Sequence, residues 1–264
     1  MFWFASCSCD AAAQAETDEL RKPKHGNVYV IAHRGAHDGV PENTLAAYQR
    51  AIDLNCDFIE IDVRTTKDNQ LVSIHDGTID RYTVDGMKGT VANMTLAEIK
   101  AVDIGTRVDP KWKDEKIPLL DEIFAMSKGR IGVYLDVKAA DINSLYEIVK
   151  RHGMERDCLW YIPGEKIGEL RERSTLCWPM PDPGPELFLQ ELLNKHRPRV
   201  VASVWRWFSP TFAQTCHESN AIVIVDEGDK DSWGRALQWG TDGIQTDHPK
   251  ELIEFLNARQ SGRR

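Results

Sequence analysis

Paired CxxC spacing is missing from the chain, whose six cysteines, Cys7, Cys9, Cys56, Cys158, Cys177 and Cys216, are scattered over 264 residues. That excludes a thiolate zinc cluster. A chain of this length also buries enough surface to hold its core without a disulfide framework, so Cys56, Cys158, Cys177 and Cys216 are expected as ordinary buried thiols. Long apolar runs are missing too. No stretch of the body approaches the ~18 residues needed to cross a bilayer, and no stable membrane insertion is expected. Basic residues are in deficit, 33 Lys+Arg against 41 Asp+Glu for a formal charge of −8, which argues against nucleic acid or an anionic membrane as the main partner. Internal repeats and low-complexity tracts are absent.

The N-terminus supports two expectations. Met1 to Ala15 has an apolar start, an Ala-Gln-Ala end like a signal-peptidase site and a Phe4-Ala5-Ser6-Cys7 segment faintly like a lipoprotein site, yet no positive residue precedes the apolar stretch. Residues 1–27 are therefore either the remnant of a signal peptide, implying a periplasmic or secreted protein, or a leader on a cytoplasmic one. Residues 28–260 are expected to form a single domain. Asn93-Met94-Thr95 matches a glycosylation sequon, but Thr95 with Glu98 also reads as a helix capping box, and the cap is the preferred reading.

Short β-rich runs alternate with helical patterns, the sign of βα units on a parallel sheet. The strand candidates are Val28–His33, Phe58–Val63, Leu71–His75, Ile131–Val137, Leu159–Ile162, Leu176–Trp178, Val200–Val204, Ala221–Val225 and Gly243–Thr246. Helices are expected between them, the first over Thr44–Leu54 after an Asn43 cap, then over Leu119–Ser127, Ile142–His152, Lys166–Arg173, Pro185–His196, Pro210–Ser219, Ser232–Trp239 and Pro249–Arg259. This is the pattern of an α/β (β/α)8 TIM barrel. Nine runs exceed the eight a barrel needs, and the weakest are Leu176–Trp178 and Val200–Val204. A small insertion, about residues 77–118, breaks the rhythm after the third strand; on the catalytic face it would help wall a pocket.

Polar residues stand at the ends of the apolar runs. In a strand buried on both faces, period-2 alternation turns Glu60 and Asp62 inward while Ile59, Ile61 and Val63 face the helices. Two such carboxylates repel unless a cation lies between them, and all-oxygen ligation suits Mg²⁺ or Ca²⁺. Asp136 offers a third oxygen, with Lys138 two residues on along the same side. His33 and His75 each close an apolar run and can carry protons near neutral pH. Arg34 can grip a phosphodiester oxygen with its planar fork, and Gly35 permits a tight turn. His37, His152, His196, His217 and His248 lack such a setting and default to surface or capping roles.

His33-Arg34-Gly35, Pro41-Glu42-Asn43-Thr44, Glu60-Ile61-Asp62-Val63, His75-Asp76, Asp136-Val137-Lys138 and Gly243-Ile244-Gln245-Thr246-Asp247-His248-Pro249 resemble the glycerophosphodiester phosphodiesterases, in order, from about residue 28 to 257. The resemblance implies a (β/α)8 barrel and metal-dependent hydrolysis of a small glycerophosphodiester to glycerol 3-phosphate and an alcohol. It implies His33 and His75 as the acid/base pair, Glu60, Asp62 and Asp136 as ligands of one divalent cation, and Arg34 and Lys138 as phosphate contacts. Asp136-Val137-Lys138 departs from the family's usual Glu-x-Lys, and Ile224-Val225-Asp226-Glu227-Gly228 stands where a Trp-Thr-Val-Asn motif is common. Trp205, Trp207 and Phe208 are candidates for the missing aromatic wall. Water and the glycerol 2-hydroxyl both remain open as nucleophile, as does which histidine is the acid.

Related activities, sphingomyelinase D-like or lysophospholipase D hydrolysis of lipid phosphodiesters, would share this core and add an apolar groove near the rim. A phosphate-binding barrel without catalysis is disfavoured by the full set of histidines and carboxylates. With few charged residues obviously aimed at the leaving alcohol, a permissive pocket is expected, accepting choline, ethanolamine and glycerol headgroups with little discrimination.

Overall fold

The computed structural model describes residues 20–261. Nine strands alternate with α-helices: β1 (Tyr29–Ala32), α1 (Leu45–Asp53), β2 (Phe58–Thr65), β3 (Leu71–Ser73), α2 (Leu96–Ala101), α3 (Leu120–Ser127), β4 (Gly132–Ala139), α4 (Ile142–His152), β5 (Cys158–Tyr161), α5 (Ile167–Arg173), β6 (Trp178–Pro179), α6 (Leu189–His196), β7 (Val200–Val204), α7 (Pro210–Glu218), β8 (Ile222–Asp226), α8 (Ser232–Trp239), β9 (Gly243–Thr246) and α9 (Pro249–Ser261). Eight strands run parallel in the order β6-β5-β4-β2-β1-β9-β8-β7. The seam between β6 and β7 is spanned where the Ala202 N–H donates to the Pro181 carbonyl at 3.0 Å. The barrel is nearly closed.

The supernumerary run is Leu71–Ser73, whereas Trp178–Pro179 and Val200–Val204 are barrel staves. β3 pairs antiparallel with β2, Val63 opposite Ser73 and Thr65 opposite Leu71. The cause is chain length, because a parallel return needs a crossover of about a dozen residues. Only Thr66 to Gln70 separate the two strands, closed by the Thr66 N–H on the Gln70 carbonyl (2.9 Å) with Asn69 at φ 58°. The insertion thus leaves the barrel between its second and third staves. It carries a core of its own, including Ile79, Tyr82, Val91, Ile99 and Ile117. Thr95 and Glu98 form the expected capping box on α2.

Helix starts follow local chemistry. Ser209 caps α7 through the Phe212 N–H and Pro210 takes the first helical position. Asn43 does not cap α1; Thr44 does, accepting from the Ala47 N–H, while Asn43 sits at φ 54° with its side chain turned to the barrel mouth. The stretch after Pro185 begins as a single 3-10 turn, Glu186–Phe188, before α6.

Outward strand residues such as Ile59, Ile61, Val63, Val133 and Leu135 pack beneath the helices. Inward residues form a second apolar layer of Tyr29, Ile31, Phe58, Tyr134, Leu159, Trp178, Met180, Val200, Ala202 and Ile224, which plugs the barrel. Residues 20–27 run below this plug: the Lys24 N–H donates to Asp57 (2.8 Å), and Tyr29 donates to the Arg21 carbonyl (2.6 Å). The signal-like features of Met1 to Ala15 lie outside the described residues. Cys56, Cys158, Cys177 and Cys216 are free, buried thiols. Among the described residues no helix is long and apolar enough to cross a membrane.

The turn after β1 fixes the mouth of the barrel. Arg34 and Gly35 hold φ of 51° and 82°, and a Cβ at position 35 would lie 2.8 Å from the Ala47 backbone carbon on α1. Gly35→Ala is therefore expected to destabilise the protein by about 1–3 kcal/mol, from left-handed strain plus overpacking. Denaturant unfolding checks this, and an unchanged midpoint contradicts it.

Candidate active site

One step of two residues above the plug, every stave except β7 turns polar. Ile31 gives way to His33, Phe58 to Glu60 and Asp62, Tyr134 to Asp136 and Lys138, Leu159 to Tyr161, Met180 to Asp182, Ile224 to Asp226, and Gly243 to Gln245 and Asp247. These side chains meet at the C-terminal ends of the strands, where barrel sites form. A cavity of about 260 Å³ is lined by His33, Arg34, His75, Tyr134, Asp136, Lys138, Tyr161, Asp182, Asp226 and Gln245, with Ala202, Ser203, Val204 and Ile224. His75 belongs to no parallel stave. The β3 arm runs back down beside β2, the Ile74 N–H meets the Asp62 carbonyl (3.0 Å), and the next residue arrives at the mouth.

Glu60, Asp62 and Asp136 bring carboxylate oxygens within 4.8 Å of one another, so the shorter side chain at 136 still reaches the other two. Glu60 and Asp62 are each 1 % exposed. Burial, then the Asp62 charge, pushes Glu60 well above the ordinary carboxylate range, and burial raises Asp136 against the pull of Lys138. The charges facing them are Lys138 Nζ, 2.6 Å from Asp136 and 3.4 Å from Asp62, and Arg34 Nε, 3.5 Å from Asp62. Glu60 Oε1 and Asp62 Oδ1 are nevertheless buried without a hydrogen-bond donor. Such oxygens are costly unless a cation meets them, so this donor set fits a metal ion.

Both histidines are fixed through Nδ1, His33 to Asp247 and His75 to Asp76, each at 2.7 Å. That leaves Nε2 of each ring for proton exchange. Burial works against protonation of His33, but the Asp247 hydrogen bond and the charge of Glu60 outweigh it and raise the imidazole to about 9. His37 is not a bystander: its Nε2 shares Asp247 at 3.0 Å.

Second-layer residues complete the mouth. Asn43 donates to Asp62 (2.8 Å) while its carbonyl accepts from Tyr48 (2.8 Å) and Ser73 (2.9 Å), which fixes the amide's orientation. Arg81, from the insertion, donates through Nε to Asp76 (2.7 Å) and through Nη2 to Glu42 (2.6 Å), and Glu42 in turn accepts from Arg34 (3.3 Å). One guanidinium thus holds the partner of His75 and the partner of Arg34. No residue of 77–118 is among those lining the cavity; the insertion acts through Arg81. Trp205 does not form a wall either, for it stacks on Trp239 (5.1 Å between centroids) beside Phe208 and outside the cavity.

Residues 33–164 match the glycerophosphoryl diester phosphodiesterase family. A glycerophosphodiester phosphodiesterase of Caldanaerobacter subterraneus is 32 % identical over 250 residues, spanning 86 % of this chain and 97 % of that one. This chain belongs to the glycerophosphoryl diester phosphodiesterase family. A solved glycerophosphodiester phosphodiesterase of Agrobacterium tumefaciens superposes with a TM-score of 0.73 at 27 % identity, covering 86 % of this chain and 99 % of the other. An Oleispira antarctica phosphodiesterase in complex with the product sn-glycerol-3-phosphate shares the fold, with a TM-score of 0.78 at 23 % identity over 87 % of this chain and 96 % of that one. Like these relatives, the glycerophosphoryl diester phosphodiesterase family member described here is an α/β barrel enzyme, a phosphoric diester hydrolase.

Glu42, Arg81, Asp182, Asp226, Gln245 and Asp247 carry no role in the sequence pattern and Asn43 only that of a helix cap, although period 2 continued one step past the inward residues locates Asp182, Asp226 and Gln245, and a second step locates Asp247. Arg81→Met keeps an unbranched stem over the Tyr82 ring and removes both ion pairs. It is expected to lower kcat about 10–100-fold while metal affinity stays unchanged, as for loss of an outer residue that orients a reacting one. Steady-state kinetics with calorimetric metal titration check this, and a wild-type kcat rejects the coupling.

Proposed function

We propose that this chain hydrolyses glycerophosphodiesters to glycerol 3-phosphate and an alcohol, with His33 and His75 as the acid/base pair, Arg34 and Lys138 on the phosphate, and one Mg²⁺ or Ca²⁺ on Glu60, Asp62 and Asp136. The observation that carries this reading is the triad of crowded carboxylates with two orphaned oxygens, opening into the cavity shared by two Nδ1-anchored histidines. When bound, the cation supplies charge neutralisation to the phosphodiester.

The chain's own residues do the rest. The Arg34 guanidinium and the Lys138 ammonium hold the non-bridging oxygens and orient phosphorus between the two rings. One imidazole takes the proton of the attacking hydroxyl through Nε2, and the other gives a proton to the departing alkoxide oxygen. Asp247 and Asp76 keep each ring in one tautomer and stabilise its charged form.

A second reading, hydrolysis of lysophospholipids, is favoured by one feature. The exposed large hydrophobics among the described residues are Val84 and Met87, on the excursion that leaves the barrel after His75, and Leu187 and Phe188, on the 3-10 turn between β6 and α6. Turnover of lysophosphatidylcholine faster than of glycerophosphocholine would select it.

Chelation is expected to abolish activity, and added Mg²⁺ or Ca²⁺ to restore it and raise the melting temperature, since an ion held only by the folded state stabilises that state. Glu60→Gln should lose both effects. His33→Ala and His75→Ala should each lower kcat by ~10²–10⁴-fold with the metal-induced melting shift retained. Near-normal kcat in His75→Ala on a substrate with a poor leaving group would remove that histidine from the mechanism.

A further inference from the structure

Two carboxylates of the polar layer are not used by this chemistry. Asp182 and Asp226 line the cavity from the ends of the β6 and β8 staves, respectively two staves beyond β4 and three beyond β2 in the sheet order, where Asp136, Glu60 and Asp62 stand. Asp182 accepts from the Tyr161 hydroxyl at 3.2 Å and from the Gly184 N–H at 2.7 Å. Asp226 pairs with the Gln245 side chain. Gln245 is 7 % exposed, lines the same cavity, and its Oε1 is buried with no donor. The Tyr134 and Tyr161 rings, with centroids 5.9 Å apart, complete this side. The charged groups facing the pair are Arg206 for Asp182, and for Asp226 the His33 ring together with the Asp247 and Glu227 carboxylates.

This end therefore offers two carboxylates, an orphaned amide carbonyl and aromatic faces, while the Tyr161 hydroxyl is already donated. A neutral diol would satisfy the hydrogen-bond acceptors but bring no charge to two half-buried carboxylates that share only Arg206 and His33 as facing cations. An ammonium group answers both demands, and tyrosine faces attract it as well.

We propose that Asp182, Asp226, Gln245, Tyr134 and Tyr161 form a subsite for an ammonium-bearing alcohol, so that the enzyme prefers glycerophosphodiesters of amino alcohols to those of neutral alcohols. The inference rests on the glycerophosphodiesterase reading above and sharpens it. It replaces the permissive pocket, because charged groups do face the cavity. Gln245 Oε1 accepts an N–H and gains nothing from a methylated nitrogen, so a primary ammonium ranks above a quaternary one.

The test compares kcat/KM of the metal-loaded full chain on glycerophosphoethanolamine, glycerophosphocholine and glycerophosphoglycerol. The wild type is expected to favour the two cationic diesters by about 10-fold or more, the scale of discrimination from a few pocket contacts. Asp182→Asn and Asp226→Asn should each lose about 10-fold more on the cationic diesters than on the neutral one, and Gln245→Met should cost the ethanolamine diester more than the choline diester. An equal loss on all three diesters means that the carboxylates hold the glyceryl end, and overturns the proposal. So does a wild-type preference for glycerophosphoglycerol. If the wild type turns over none of them, the reading of function fails by itself, and calorimetry still decides the subsite: phosphoethanolamine must bind more tightly than glycerol 3-phosphate, and a weaker or equal affinity rejects it.

Discussion

Mutual repulsion of buried carboxylates at the barrel mouth is the constraint to which the rest of the site answers. Period-2 alternation forces Glu60 and Asp62 to the same side of β2, and the parallel register sets Asp136 opposite Asp62 on the neighbouring β4. In a site this dry, three such groups cannot all stay charged without compensation. Lys138, Arg34 and the Asn43 amide supply part of it, and Glu60 Oε1 and Asp62 Oδ1, which accept no hydrogen bond, make the triad a donor set that could hold a cation. The apolar plug below sets the level of this layer, since each inward residue above it lies two positions further along its stave.

The β2–β3 hairpin solves a second problem, delivery of a histidine from outside the parallel sheet. It brings His75 to the cavity that His33 lines from β1. Arg81 then couples the insertion's small core to Asp76 and Glu42, and through them to His75 and Arg34. The excursion of residues 77–118 thereby braces two groups at the barrel mouth even though it does not line the cavity.

Much of this was legible from residues. The inward pair Glu60 and Asp62, the histidines at run ends, Asp136 with Lys138, the helices between strands and the capping box of Thr95 and Glu98 all follow from periodicity and local chemistry. By composition the β3 run reads as one more parallel stave, like any buried strand; only the short link from Thr65 to Leu71 betrays the hairpin. Trp178–Pro179 is hard to read because a two-residue stave carries almost no periodic signal. Arg81 and Glu42 lie 39 positions apart and meet only in the fold. Asn43 resembles a helix cap in sequence, and its turn toward Asp62 depends on a left-handed backbone that Thr44, taking over the cap, makes possible. Aromatics such as Trp205 are ambiguous for a different reason: packing and substrate walls use the same side chains.

The most direct test of the central claim is a crystal structure of the chain grown with Ca²⁺ and glycerol 3-phosphate. The expected density shows one cation among Glu60, Asp62 and Asp136, with the phosphate between the imidazoles of His33 and His75 and within reach of Arg34. A cation held instead by the other group with suitable geometry, His33, His37 and Asp247, or a phosphate bound away from both histidines, would contradict the account.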